Sequence, residues 1–325
     1  MKCIDRKIAL ALVLFICTIS FSSCISFYKP KYDAIKTSSK YGITREKTSD
    51  LKPKTFFQDS CVPTETPDVN VKDISHAYGA AAFNLTKNEA LYGYNVLDKI
   101  FPASTTKILT ALTAIKYGNL EKNITVSKNA TNQIEGSSLA KLNPGDVLSL
   151  RQLLYGLMLP SGNDAAVAIA EGISGSEKKF AKLMNETAKE LGATHSHFVT
   201  VSGLHKKNHY TTPYDIYLIT KAAIANDTIA QIMSTTSYDA YYRNAAGEPV
   251  SNKWTSTDQF ATKERKLSEG FKFIGGKTGT TSQAKYCLVL ITENANNEKI
   301  VSIVYGADNH YNLYLIHNEI LQAVG

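Results

Sequence analysis

The chain has 325 residues, of which 43% are hydrophobic and 20% charged. This length and composition are typical of one large folded core or two subdomains, and they exclude a compositionally disordered chain. The formal net charge of +7 comes from lysines that are spread along the chain without interleaved aromatic residues, so nucleic-acid binding is not indicated.

The N-terminus predicts an export signal. Lys2, Arg6 and Lys7 precede an apolar run over residues 8–19, and small residues follow it at Ser22-Ser23-Cys24. The run is shorter than the roughly 20 apolar residues that a spanning helix needs. We therefore expect residues 1–24 to be a signal peptide or lipoprotein leader, with the rest of the chain exported from the cytoplasm.

Cys24 is a candidate lipidation site, because Ser22-Ser23-Cys24 resembles the lipobox of bacterial lipoproteins. Phe21 stands where such a box usually carries Leu or another aliphatic residue, so lipidation, simple cleavage and an uncleaved anchor all remain open. Outside the leader only Cys61 and Cys287 remain, and whether they pair is also open. Cys287 lies in an apolar run and is expected to be a small buried core residue.

Residues 25–73 are rich in Lys, Thr, Ser, Pro and Asp and show no sustained periodicity, so they predict a flexible tether. Residues 74–325 then form the predicted catalytic domain. It begins with a hairpin over residues 77–84 and 90–94. A helix follows from Pro102 to Tyr117 and ends at Gly118.

In the middle of the domain, the sequence predicts four helices, over residues 149–159, 163–173, 176–191 and 213–226. In the C-terminal part it predicts three strands, over residues 271–276, 284–293 and 299–307, and then a last helix over residues 312–324. Two early strands, a helical middle and three late strands imply an α+β fold. We expect one antiparallel sheet built from both ends of the domain, packed with helices and a helical subdomain.

Three short motifs, in this order, carry the predicted chemistry: Ser104-Thr-Thr-Lys107, Ser161-Gly-Asn163 and Lys277-Thr-Gly279. Each motif is weak by itself. Together they indicate a serine acyl-transfer site whose general base is a lysine, which is typical of enzymes that open amide or lactam bonds.

The first motif places Ser104 and Lys107 three residues apart at a predicted helix start, where both side chains share one face. A lysine can take the serine proton only if its amine is neutral, and this requires a pKa lowered by burial or by a second cation. Lys277 is the predicted second cation.

The other two motifs predict the rest of the site. Ser161 can pass a proton toward a leaving amine, the Asn163 amide can hold a substrate carbonyl, and Gly162 is expected to supply backbone freedom in a tight loop. The third motif is expected to follow an edge strand. There Lys277 and Thr278 can bind a terminal carboxylate, and Gly279 is expected to leave room for the ligand backbone.

Metal and cofactor chemistry is not indicated. The chain has no His-Glu-x-x-His motif and no glycine-rich phosphate loop, and His195-Ser-His197 is an alternating pair without obvious partner ligands. We therefore expect no cofactor and no metal.

From residue 76 onward the sequence resembles the serine-type D-alanyl-D-alanine carboxypeptidases, the low-molecular-mass penicillin-binding proteins. The resemblance extends beyond the three motifs to the segments around them, which are residues 101–107, 154–166, 198–204, 209–215 and 276–281.

The resemblance implies a β-lactamase/transpeptidase-like fold. It also implies hydrolysis of the terminal D-Ala–D-Ala bond of peptidoglycan stem peptides through an acyl-enzyme on Ser104, with Lys107 as base. Ser161 and Asn163 would relay protons and hold substrate, Lys277, Thr278 and Gly279 would bind substrate, and the backbone N–H groups of Ser104 and Thr280 would form the oxyanion hole. β-Lactam antibiotics would acylate Ser104, and attachment to the membrane would be through the N-terminus.

Two departures from the family pattern are visible. Many relatives carry a further C-terminal β-domain with an amphipathic anchoring helix, whereas this chain stops soon after the last predicted sheet element. Some relatives hold the substrate carboxylate with an arginine downstream of Lys-Thr-Gly. The last arginine here is Arg265, so that role is vacant or belongs to another group.

Three alternatives remain beside the carboxypeptidase. A related D,D-endopeptidase or transpeptidase would share every motif. A class A β-lactamase would need a deacylating glutamate between the second and third motifs, and it would normally carry Ser-Asp-Asn where this chain has Ser-Gly-Asn. A wall-binding lipoprotein without turnover is disfavoured by the intact Ser104, Lys107 and Lys277.

Overall fold

The computed structural model describes residues 69–325. The predicted leader, Cys24, Cys61 and nearly all of the predicted tether lie outside these residues. Val71 is already buried against one face of a large sheet, so packed structure is present close to the predicted start of the domain.

A five-stranded antiparallel sheet forms the centre of the fold, in the strand order β2-β1-β9-β8-β7. Its strands are β1 (Gly79–Asn84), β2 (Glu89–Tyr94), β7 (Phe271–Thr281), β8 (Lys285–Asn294) and β9 (Lys299–Ala307). Because β1 pairs with β9, the two ends of the domain meet within one sheet. This confirms the predicted α+β architecture and leaves β7 at an edge.

A second sheet, in the order β3-β4-β5-β6, was not predicted. It comprises β3 (Asn123–Thr125), β4 (Val147–Ser149), β5 (Ser237–Arg243) and β6 (Pro249–Thr255). Three-residue strands such as β3 and β4 are too short to show a period. In β5, however, the exposed residues do alternate with more buried ones at Tyr238, Ala240 and Tyr242, so a period-2 signal was present.

Eight α-helices pack on the sheets within the described residues: α1 (Thr106–Tyr117), α2 (Lys128–Thr131), α3 (Leu150–Met158), α4 (Asn163–Ser174), α5 (Glu177–Glu190), α6 (Pro213–Ile224), α7 (Asp227–Ser234) and α8 (His310–Val324). Side-chain caps define several starts, including a capping box between Ser149 and Gln152 at α3. The predicted helices are confirmed, α2 and α7 were missed, and α8 begins two residues earlier than expected.

The five-stranded sheet separates two hydrophobic cores. The front face, which includes Phe83, Ile303 and Tyr305, packs against the helical subdomain. The back face, which includes Leu290 and Val304, packs under α8. Among residues 69–325, no helix combines the length and hydrophobicity needed to cross a bilayer.

Candidate active site

The predicted nucleophile lies on a short 3₁₀ turn, Ala103–Thr105, that leads directly into α1. Ala103 has a left-handed backbone with φ of 46°, which is strained for a residue with a side chain. Thr105 fixes the turn from below, because its Oγ1 lies 2.7 Å from the carbonyl oxygen of Pro102 and 2.6 Å from the hydroxyl of Tyr305 on β9. Ser104 itself is only partly buried.

Strand β7 approaches this turn closely because residue 279 is glycine. A Cβ at Gly279 would lie 2.8 Å from the backbone nitrogen of Ser104 and 3.1 Å from that of Thr105. The expectation that Gly279 makes room for a ligand backbone therefore needs correction. In this structure, the space is taken by the backbone of the nucleophile's own turn.

The third motif lies inside β7 and does not follow it, which corrects the predicted strand end at residue 276. The ladder with β8 continues through Lys277↔Val289 and Gly279↔Cys287 to Thr281↔Lys285. Because β7 is an edge strand, its other side is available to an extended peptide. Cys287 is fully buried, as predicted, and its thiol is free among the described residues.

Lys107 is completely buried and its Nζ has three oxygen neighbours. Ser104 Oγ lies 2.9 Å away, Asn163 Oδ1 2.8 Å away and the carbonyl oxygen of Ser202 2.8 Å away. The structure thus brings the first two motifs together. It also adds Ser202, which the motifs alone did not identify.

The pKa of Lys107 is held well below its usual range. Burial is the largest cause and the nearby Lys277 ammonium is the second, while Asp164 opposes them. The Lys277 charge acts in the direction that the sequence predicted for a second cation, although desolvation has the larger effect. A buried lysine of this kind can be a neutral amine near neutral pH.

Ser161, not Gly162, adopts the unusual backbone conformation in the second motif. Ser161 has φ of 60°, whereas Gly162 has φ of −59°. Gly162 is needed for space, since a Cβ there would lie 2.7 Å from Asp164 Oδ1 and 2.8 Å from the backbone nitrogen of Ala140. The expectation that Gly162 supplies backbone freedom is therefore wrong.

Lys277 joins the second and third motifs. Its Nζ donates to Ser161 Oγ at 3.0 Å and to the carbonyl oxygen of Thr278 at 3.0 Å, and its side chain is almost fully buried. Burial lowers the pKa of Lys277 to about 7, and the Asp258 carboxylate opposes this shift. The site thus contains two buried lysines of reduced basicity.

Asp258 is a further charged residue that the motifs did not reveal. It is 1% exposed. A Cβ added at Gly276 would lie only 2.2 Å from Asp258 Oδ2, so the carboxylate occupies the space beside this glycine. Burial raises its pKa to about 6.

The preceding residue, Thr257, bonds through its hydroxyl to that of Thr278, so a second hydroxyl lies beside the predicted carboxylate site. Both residues follow the unpredicted strand β6.

His209 connects α1 to the loop that carries Ser202. Its Nδ1 accepts hydrogen bonds from the backbone N–H groups of Val199, at 3.0 Å, and Thr200, at 3.2 Å, so Nε2 carries the proton and donates to Thr106 Oγ1 at 2.9 Å. Burial lowers the pKa of His209 to about 3, which keeps the ring neutral. The segment 209–215 noted in the sequence therefore positions a carbonyl that contacts Lys107.

A cavity of about 640 Å³ is lined by Ser202, whose carbonyl oxygen contacts Lys107, and by Thr280 on β7. The loop over residues 129–137, the residues that follow β7 and the start of α5 also line it. Within residues 69–325, no cluster of three or more His, Cys, Asp or Glu side chains is arranged to hold a metal ion.

Several known proteins are similar to this chain in sequence. The family model described as D-alanyl-D-alanine carboxypeptidase matches residues 66–309. DacF of Bacillus subtilis is 32% identical over 72% of this chain and 59% of its own length. DacC of Escherichia coli is 34% identical over 66% of this chain and 52% of its own length. The chain thus spans little more than half the length of these two relatives.

Solved structures of similar proteins are matched more completely. The Streptomyces K15 DD-transpeptidase superposes with a TM-score of 0.70 and 30% identity, covering 76% of this chain and 96% of that one. An evolved penicillin-binding protein homolog from Mycobacterium tuberculosis superposes with a TM-score of 0.66 and 28% identity, covering 77% of this chain and 92% of that one.

Proposed function

Because the chain belongs to the D-alanyl-D-alanine carboxypeptidase family, we propose that it removes the terminal D-Ala from peptidoglycan stem peptides through an acyl-enzyme on Ser104. β-Lactam antibiotics would acylate the same hydroxyl. The observation that carries this proposal is the set of three oxygen atoms around Lys107 Nζ.

A neutral lysine amine has two N–H donors and one lone pair. The Asn163 Oδ1 and the Ser202 carbonyl oxygen can only accept hydrogen bonds, so they take both N–H groups. The lone pair is then directed at the third neighbour, Ser104 Oγ, 2.9 Å away. In this arrangement Lys107 is oriented to remove the serine proton.

Acylation would then proceed in one defined sequence. Ser104 Oγ attacks the carbonyl carbon of the penultimate D-Ala while its proton moves to Lys107, and the backbone N–H groups of Ser104 and Thr280 stabilise the oxyanion. The C–N bond breaks as the proton on Lys107 passes through Ser161 to the leaving D-Ala nitrogen, which returns Lys107 to the neutral amine. Water, activated by Lys107, then adds to the ester carbonyl and releases Ser104.

The terminal carboxylate would lie beside Lys277 and Thr278. Ser161 Oγ and the Thr278 carbonyl oxygen hold the Lys277 ammonium, and Thr257 extends the row of hydroxyl groups. A charge-assisted contact of this kind would place the scissile carbonyl near Ser104. Lys277 and Thr278 would then bind the substrate carboxylate, which a downstream arginine binds in some relatives.

A transpeptidase is the second candidate, because the K15 DD-transpeptidase matches the chain over nearly its whole length. Both activities would use the same acyl-enzyme and differ only in whether water or an amine accepts the acyl group. Exposed Thr280 and the open edge of β7 leave room for either acceptor.

The deciding experiment uses the chain without residues 1–24, with fluorescent penicillin and with diacetyl-Lys-D-Ala-D-Ala, with and without added glycylglycine. We expect covalent labelling, D-Ala release, and loss of both in Ser104→Ala. Labelling that survives this substitution would refute the acyl-enzyme. A glycylglycine adduct in place of the free acid would favour the transpeptidase. Rapid hydrolysis of penicillin would favour a β-lactamase, and labelling without D-Ala release would favour a binding protein.

We further propose that the catalytic domain acts outside the cytoplasm, attached through its N-terminus, with Cys24 as the candidate lipid-bearing residue. The basic, apolar and small-residue order of residues 1–24 supports this proposal. Mass spectrometry of the mature protein tests it. A diacylglyceryl group on an N-terminal Cys24 is the expected result, and an unmodified N-terminus elsewhere would exclude lipidation.

A further inference from the structure

The carboxylate of Asp164, one residue after the second motif, is turned back toward a neighbouring loop. It is 1% exposed. Its Oδ1 accepts the backbone N–H groups of Ala140, at 2.8 Å, and Ala165, at 2.9 Å, and its Oδ2 accepts that of Leu142, at 3.0 Å. A buried carboxylate is costly unless donors compensate it, so the loop and the carboxylate depend on each other.

A backbone contact joins the same loop to the second motif itself. The N–H group of Asn163 donates to the carbonyl oxygen of Ser138 at 2.9 Å. Because residue 162 is glycine, the Asp164 carboxylate and the N–H group of Ala140 can meet beside it. The loop over residues 138–142 is therefore bonded to the start of α4 at its first, third and fifth residues.

The second sheet holds this loop from another direction. The carbonyl oxygen of Ala140 accepts hydrogen bonds from Trp254 Nε1, at 2.8 Å, and Asn252 Nδ2, at 2.9 Å, and both donors lie on β6. Trp254 is almost fully buried, and its ring stacks on that of Tyr238 on β5 with centroids 6.2 Å apart. Both backbone polar groups of Ala140 are thus used, one by Asp164 and the other by β6.

The residues next to Asp164 are those that contact the two buried lysines. Asn163 Oδ1 lies 2.8 Å from Lys107 Nζ, and Ser161 Oγ lies 3.0 Å from Lys277 Nζ. Ser161 has a left-handed backbone with φ of 60°. Such a conformation costs energy in a residue with a side chain and persists only where the surrounding contacts impose it. The bonds between the start of α4 and the loop supply such contacts.

We propose that Asp164 is a positioning residue for acylation, because its carboxylate fixes the loop over residues 138–142 on the start of α4 and thereby holds Ser161 and Asn163 in place. The inference rests on the proposed function for the roles of these two side chains. Asp164 itself takes no part in the bond-breaking steps.

The charge of Asp164 gives this role an electrostatic signature. Burial and the Lys277 ammonium on β7 lower the pKa of Lys107, and the Asp164 carboxylate on α4 opposes them. His209, which bonds to the adjacent Thr106, is neutral. An amide in place of the carboxylate removes the opposing charge, so the pKa of Lys107 should fall further. Since Lys107 must be neutral to take the serine proton, acylation should then persist to lower pH.

The test measures the second-order rate constant of acylation by fluorescent penicillin as a function of pH, with the chain without residues 1–24. In Asp164→Asn only one side-chain oxygen remains to accept the three N–H groups, so Ser161 and Asn163 should shift and the plateau should fall about tenfold. Relative to that plateau, the rate constant on the acid limb should rise about threefold, because the limb moves toward lower pH. An unmoved acid limb would overturn the inference, whether or not the plateau falls.

A second variant loosens the same loop without changing the charge. Trp254→Phe removes one donor to the carbonyl oxygen of Ala140 and keeps the Asp164 carboxylate, so the plateau should fall about threefold while the acid limb stays in place. If Asp164→Asn does not fold, Trp254→Phe decides the question, and a plateau equal to that of the wild type overturns the inference.

Asp146→Asn is the matched control for the loss of a buried carboxylate. Asp146 is 1% exposed and accepts the N–H group of Asn143 at 2.8 Å, a few residues further along the chain. Its replacement should change neither the plateau nor the acid limb, and a limb that moved as far as in Asp164→Asn would overturn the inference. Absence of labelling in the wild-type chain would instead count against the proposed function.

Discussion

Two buried polar clusters lie on opposite faces of the five-stranded sheet. On the front face, Lys107 and Lys277 bond to Ser104, Asn163 and Ser161, and Ser104 is partly exposed. On the back face, Ser302 and His317 bond to each other under α8, and both are fully buried.

Burial has a similar electrostatic effect on both clusters. It lowers the pKa of Lys277 to about 7 and that of His317 to about 3. The difference lies in access, because Ser104 is partly exposed at the front whereas His317 is sealed at the back. A shifted pKa therefore indicates a functional site only where a reactive group also reaches a cleft.

The largest effect is expected from Gly279→Ala. The new Cβ would press on the Ser104 nitrogen at 2.8 Å and move the nucleophile relative to β7. The rate constant of acylation by fluorescent penicillin should fall by about 100-fold, as is typical of a misplacement near 1 Å. A Cβ at Gly275, on the same strand, would lie 3.2 Å from Met233 Cβ and 3.5 Å from Ile291 Cδ1, away from Ser104, so Gly275→Ala should keep most of the rate. Equal rates in the two variants would contradict this account.

A smaller effect is expected from Asp258→Asn. Losing this carboxylate removes the charge that supports the Lys277 ammonium, so the pKa of Lys277 should fall further below its usual range. The alkaline limb of kcat/KM for a D-Ala-D-Ala peptide should move down by about one pH unit. Asp239→Asn, at an exposed position of β5, makes the same chemical change away from Lys277 and is the matched control, in which the alkaline limb should not move. An unmoved limb would show that Asp258 does not act on Lys277.

The smallest effect on activity is expected from His317→Gln. The folded-state pKa of His317 is about 3 and its ordinary value is 6.5, so the unfolded chain binds the extra proton between these values. Stability is therefore full above pH 6.5 and falls as pH drops toward 3, by up to about 1.4 kcal/mol per pH unit for one such histidine. Urea unfolding from pH 7 to pH 4 should show a shallower loss in the variant, with acylation at pH 7 unchanged. A pH slope equal to wild type would refute this prediction.

The sequence by itself determined the elements whose signals are local. The hairpin β1–β2, the helix that follows Ser104 and the strands β7 to β9 were predictable from periodicity and turn residues, and Ser104 and Lys107 meet because three residues separate them. The order of the motifs then indicated the chemistry. The strand β5 carried a weaker alternation and was missed, together with β6 and the short strands β3 and β4.

Only the tertiary structure decided how the amine of Lys107 is oriented. Its bond to Asn163 spans 56 residues and its bond to Ser202 spans 95, so neither contact has a local signal. The same holds for Asp258 behind Gly276 and for Gly279 against the Ser104 turn. Motifs identify which groups are present. Packing over long sequence separations decides which of them are desolvated, how their lone pairs point and which glycine is required for space.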